Sequence, residues 1–194
     1  MRFQEYYENP HFKDKVFTTE EFKQWYTEKY GRFSYNRDWV GFNLPDTAFS
    51  PFLQGRFDPL DEKEQFLLKC VKEFFTEPPF YIIGTYGKEK PKYSTLKHEI
   101  CHAMFYLDEE YKENSTRVLS RQQHHRMMEK LKRRIIRAGY HESVAMDESQ
   151  AYLLTDKLFI LTAGVNPFFL GSLTDELERL FDMAKKRQDV VSHL

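Results

Sequence analysis

Cysteine is nearly absent from this chain: Cys70 and Cys101 are the only two among 194 residues. Two thiols make no disulfide framework, so the fold has to come from a packed core, and a reducing compartment is the simpler setting. Glycine and proline are sparse too, at eight each, which excludes collagen-like and low-complexity architectures. No run approaches the roughly 18 consecutive apolar residues that cross a bilayer. The opening Met-Arg-Phe-Gln-Glu-Tyr-Tyr lacks the apolar stretch of a secretory signal. Charge of one sign is missing as well. With 29 basic and 30 acidic residues the net charge is −1, and no whole-protein field draws the chain to nucleic acid or to a membrane surface. The expectation is a soluble, cytoplasmic protein with no membrane span and no nucleic-acid partner. Export without a signal stays open, and oligomeric state is not legible.

What the chain has instead is rings, with 18 Phe and 12 Tyr. Thr18 to Tyr30 reads as a helix, because Thr18 and Glu21 form a capping box and Gly31 ends it. Phe33 to Leu44 alternates aromatics and predicts one or two short strands. Pro45 to Pro59 reads as a long ordered loop pinned by Phe49, Phe52 and Phe57. A helix from about Asp61 to Phe75 stops before Pro78-Pro79. Phe80, Tyr81, Ile82, Ile83, Gly84, Thr85 and Tyr86 make the best strand in the sequence, β-branched and aromatic. Further helices are predicted from Ser94 or Thr95 to about Asp108, from Thr116 to Ala138, from Met146 to Leu161, and from Thr174 towards the end. Leu96, Ile100, Ala103 and Leu107 would form the buried stripe of the first of these.

That helix carries His98-Glu99-Ile100-Cys101-His102. Two histidines at i and i+4 share a face, close enough to chelate one ion. A catalytic zinc takes imidazoles or carboxylates at about 2 Å and keeps one position open for water. Glu99 stands about 100° round the helix from His98. There a carboxylate can act as general base on zinc-bound water and pass the proton to a leaving amine. The chemistry expected is hydrolysis of a peptide or amide bond in a peptide or protein substrate, with one Zn2+.

The third ligand has to come from elsewhere. Glu148, at the start of a helix that turns apolar, is the choice. An acidic helix start also suits the dipole without any metal, and Asp147 and His141 are the neighbouring candidates. His124 and His125 form a second pair, but Arg121, Arg126, Lys130, Lys132, Arg133 and Arg134 surround them and disfavour a dication. A solvated basic face over Met127, Met128, Leu131 and Ile135 accounts for them better.

On His98, Glu99, His102 and Glu148, with the small Ala151 after it, the sequence resembles the zincin metallopeptidases of the gluzincin type, over about 80–161. The resemblance implies a minimal core of edge strand, active-site helix and glutamate helix. Phe80 to Tyr86 would bind extended substrate by strand addition, and Tyr152, His141 or Tyr140 would steady the oxyanion. The chain departs from the pattern in two ways. No third histidine follows His102 closely, and the interval to Glu148 holds an extra helix. The fold expected is α+β, mainly helical with a small mixed β-sheet. It forms one domain over 1–194: an aromatic 1–79 region packed on it, the metal-binding core at 80–161 and a helical 162–194 segment. The alternative function is a non-catalytic zinc-binding protein, or a metal-free interaction protein using the basic helix 117–137. The Trp39-Val40-Gly41-Phe42-Asn43 segment is either one wall of a substrate cleft or ordinary core.

Overall fold

The helix-start signal at Thr18 is used. In a computed structural model, which describes residues 1–35, 41–74, 77–85 and 93–188, Glu21 N–H donates to Thr18 Oγ1 at 3.1 Å and Thr18 N–H donates to the Glu21 carboxylate at 2.7 Å. Helix α2 (Thr19–Tyr30) follows, and Gly31 ends it at φ 79°, a left-handed conformation that glycine adopts without strain. Before it lies α1 (Arg2–Glu8), which has no sequence signal strong enough to announce it. Helix α3 (Glu62–Phe74) starts on a reciprocal pair, Asp61 N–H to Glu64 and Glu64 N–H to Asp61. The proline-rich stretch between α2 and α3 holds short helical turns at Asp46–Phe49 and Ser50–Leu53. Phe49, Phe52 and Phe57 are buried there as expected, with Phe52 and Phe57 stacked at 3.9 Å.

Strands β1 (Gly41–Pro45) and β2 (Tyr81–Thr85) pair antiparallel, Phe42 opposite Gly84. Among the described residues the sheet is therefore antiparallel rather than mixed. Of the predicted strand, Phe80 lies just before β2 and Tyr86 outside the described residues. Gly84 has a packing reason: a Cβ there would meet the Phe42 ring at 2.2 Å. Phe42 itself packs on the aromatic core, and Asn43 accepts from Tyr81 Oη at 2.7 Å. These contacts favour ordinary core packing over a cleft wall for this segment, whose Trp39 and Val40 lie outside the described residues.

The chain divides into two compact units, Met1–Glu89 and Lys90–Leu194. The expected boundary within one domain falls after residue 79. Strand β2 belongs to the first unit because its hydrogen-bond partner β1 does. The second unit is helical: α4 (Tyr93–Leu107), α5 (Glu109–Leu119), α6 (His125–Ala138), α7 (Ala145–Thr155), α8 (Lys157–Thr162) and α9 (Gly171–Arg187). Two helices predicted as continuous, 116–138 and 146–161, are broken, the first by the turn at Gln122–His124 between α5 and α6 and the second at Asp156. Asp108 ends α4 and caps α5, accepting from Tyr111 N–H at 2.8 Å. Asp156 separates α7 from α8, accepting from Phe159 N–H at 2.9 Å. Helix α7 is central, packing against α4, α6 and α9. The apolar core around it is mostly aliphatic, with Leu119, Leu131, Ile135 and Leu177 fully buried. No helix among the described residues is long and apolar enough to cross a membrane.

Candidate metal centre

Helix α4 is held on its far side by α9. Lys97 Nζ donates to Glu178 at 2.8 Å and lies over the Phe181 ring, while Arg187 clamps Asp108 just past the helix end at 2.7 and 2.9 Å. The buried residues of α4 are Cys101, His102, Ala103 and Met104, which run round the helix rather than along one face. Leu96, Ile100 and Leu107 of the predicted stripe are only half-buried. Helices pack on α4 from more than one direction, so a single i, i+4, i+7 stripe does not describe it.

His98 and His102 stand one turn apart with ring centroids separated by 4.8 Å. Facing them, the first turn of α7 delivers Glu148. Its Oε2 lies 3.7 Å from His98 Nε2 and its Oε1 3.6 Å from His102 Nε2. The three side chains offer donor atoms all within 4.8 Å of one another. His102 and Glu148 are buried and His98 is half-buried. On the outer side, His102 Nδ1 lies 2.8 Å from Asp147 Oδ1 and His98 Nδ1 lies 3.0 Å from Thr155 Oγ1.

These atoms fit a cation. Asp147 accepts the His102 Nδ1 proton, so in the neutral ring Nε2 presents a lone pair to a carboxylate. At 3.6 Å the two are too far apart for a hydrogen bond. Glu148 Oε2 is buried with no hydrogen-bond partner among the described residues, a costly arrangement for a carboxylate left alone. Two bonds of about 2.1 Å at a tetrahedral angle would set donor atoms roughly 3.4 Å apart, close to the two spacings from Glu148. Burial alone would lower the His102 pKa, but Asp147, Glu148 and Glu99 outweigh it and raise it to about 10. That imbalance is a surplus of negative charge around the imidazole.

Glu99 is half-buried on α4 beside His98, near enough to raise the His102 pKa. Tyr152 lays its ring edge-on to His98 at 4.7 Å and stacks on Phe159 at 3.6 Å. Its hydroxyl lies 3.3 Å from that of Tyr140. Burial and then Glu148 push the Tyr152 pKa up to about 12, against the Tyr140 hydrogen bond. His141 is turned to local work, its Nδ1 accepting from Ser143 N–H at 3.1 Å as a cap. Asp147 holds His102 rather than joining the three donors. Cys101 is fully buried, and that burial raises its thiol pKa. His124 and His125 start α6 and belong to no metal-binding group among the described residues. Lys130 and Arg134 of the basic helix are tied to Gly164 O and Thr162 Oγ1 at 2.8 and 3.1 Å.

Sequence reasoning missed Thr155, Gln150 and Tyr111. Gln150 Nε2 donates to Asp147 Oδ1 at 3.0 Å, and Tyr111 Oη donates to Gln150 Oε1 at 2.7 Å. A polar chain therefore runs from Tyr111 on α5 to His102 on α4 through α7. Its one sequence signal is Ser149-Gln150 inside an otherwise apolar helix, both fully buried. Comparison with known proteins finds no matching family, no matching curated sequence and no matching solved structure.

Proposed function

We propose that the chain is a zinc-dependent peptidase whose ion is held by His98, His102 and Glu148. The observation that carries this reading is the convergence of two imidazole nitrogens on a buried carboxylate with an unpartnered oxygen. Zinc bound there would acidify a water and polarise the scissile carbonyl. Glu99 takes a proton from the attacking water as its oxygen adds to the carbonyl carbon, then delivers that proton to the amine nitrogen as the C–N bond breaks. Tyr152, its ring against His98, is the side chain best situated to donate to the developing oxyanion.

The test pairs elemental analysis for zinc with turnover of a mixed fluorogenic peptide library, on wild type and on Glu99→Gln. One zinc per chain in both proteins is expected, with turnover falling about 100- to 10,000-fold in the variant. Retained turnover in Glu99→Gln would remove Glu99 from the chemistry, and a wild type without zinc would remove the centre. A second reading, an ion that only ties α4 to α7, is favoured by the burial of His102 and Glu148. It predicts full zinc occupancy and no turnover in either protein.

A further inference from the structure

Thr155 is the last residue of α7, and its hydroxyl donates to the Ala151 carbonyl at 2.6 Å. A hydroxyl has one proton. Towards His98 Nδ1, 3.0 Å away, the same oxygen can therefore only accept. That makes Nδ1 the protonated nitrogen of the neutral ring and leaves the lone pair on Nε2, the atom facing Glu148. We propose that Thr155 is a positioning residue: it locks His98 in the Nδ1–H tautomer and keeps Nε2 aimed at the ion, an inference that rests on the zinc reading above.

Asp147 performs the matching task for His102 at 2.8 Å, from the residue before Glu148. Helix α7 thus supplies the carboxylate ligand and grips both imidazoles from behind, at its first turn with an anion and at its last with a neutral oxygen. The neutral choice has a consequence. Asp147 and Glu148 already set carboxylates against His102 at 2.8 and 3.6 Å, and a hydroxyl orients the second ring without adding another charge. Groups on the outer nitrogen of a ligating histidine fix its tautomer and orientation, and their loss costs about 10–100-fold in metal affinity. The sequence contains no motif for this contact, because it forms between two helices 57 positions apart.

The test compares wild type, Thr155→Val, which keeps the shape and loses the acceptor, and Thr155→Ser, which keeps the acceptor. Nitrogen-15 NMR of the imidazoles, assigned with His98→Gln, reads the tautomer in metal-free and zinc-loaded protein, and a competing chelator reads zinc affinity. Wild type and Ser are expected to show His98 protonated at Nδ1 and to bind zinc within a few-fold of each other. Val is expected to lose the tautomer preference in metal-free protein and to bind zinc about 10–100-fold more weakly. Val with unchanged tautomer and unchanged affinity would overturn the proposal. A wild type that takes up no zinc would overturn the zinc reading instead. The metal-free tautomer then decides the role of Thr155: a shift in Val supports the lock, and no shift removes it. If Val fails to fold, Thr155→Ala carries the same comparison.

Discussion

The two units are built from different materials. The first packs rings on rings, with Phe22, Phe49, Phe52 and Phe57 fully buried, and the second packs Leu119, Leu131, Ile135 and Leu177. Their buried charges differ more instructively. In the first, Arg2 donates to Glu64 at 2.8 Å and to Phe57 O at 3.1 Å, so both charges are matched where they lie. In the second, Glu148 faces two imidazole nitrogens, and one of its oxygens has no hydrogen-bond partner among the described residues. A buried pair that closes on itself is an account of folding. A buried acid that faces two imidazole nitrogens could instead hold a cation from outside, and burial alone does not distinguish the two cases.

The largest effect should come from the ring core. Phe52→Ala should cost about 3–5 kcal/mol in chemical denaturation, because a fully buried stacked ring leaves a cavity. A cost under about 1 kcal/mol would show that the aromatic unit is loosely packed. Next comes the cation. Zinc at a hundredfold excess over its Kd should add about 2.7 kcal/mol, seen as slower hydrogen exchange in α4 and α7 with α1–α3 unchanged. Glu148→Ala should abolish the gain, and equal protection of both units would erase the contrast.

The smallest effects are in pH, and they have opposite signs. In the second unit the Arg187 guanidinium, helped by Tyr111 N–H, holds the Asp108 carboxyl below its ordinary 3.8 against burial. The stability it contributes is present above 3.8 and is lost as pH falls through the lower folded value. In the first unit burial lifts Glu5 above 4.5, opposed by hydrogen bonds from Tyr35 and Asn9. The folded state there favours the protonated form. Its stability contribution is complete below 4.5 and declines as pH rises through the raised value. Melting curves between about pH 3 and 8 should show Asp108→Asn flattening the acid-side loss and Glu5→Gln removing the decline above 4.5. A Glu5→Gln protein with an unchanged profile would show that Glu5 carries no folding-linked proton.

Local chemistry was the legible part. The capping box at Thr18, the glycine stop at Gly31 and the i, i+4 histidines are settled within one or two helical turns, and the structure reproduces the spacing of each. Glu148 was legible as a polar start to an apolar helix. The start of α5 at Asp108, well before the expected Thr116, and the helix break at Asp156 were not, since each is made by one side chain capping the next helix, with no glycine or proline to mark it. The burial pattern of α4 was misread for a tertiary reason, because α7 and α9 both pack on it. Thr155, Gln150 and Tyr111 act through contacts 57, 3 and 39 positions long, and the long ones have no spacing rule to betray them.

The place where α7 stops also limits how the chain can vary in length. Thr155 lies seven residues, about two turns, beyond Glu148, and Asp156 begins the next helix at once. A single insertion or deletion between 148 and 155 would swing Thr155 about 100° off the face that carries Glu148. The turn at Gln122–His124, exposed or half-exposed, has no such phase to keep. Length changes in related chains should therefore collect there and be excluded from α7.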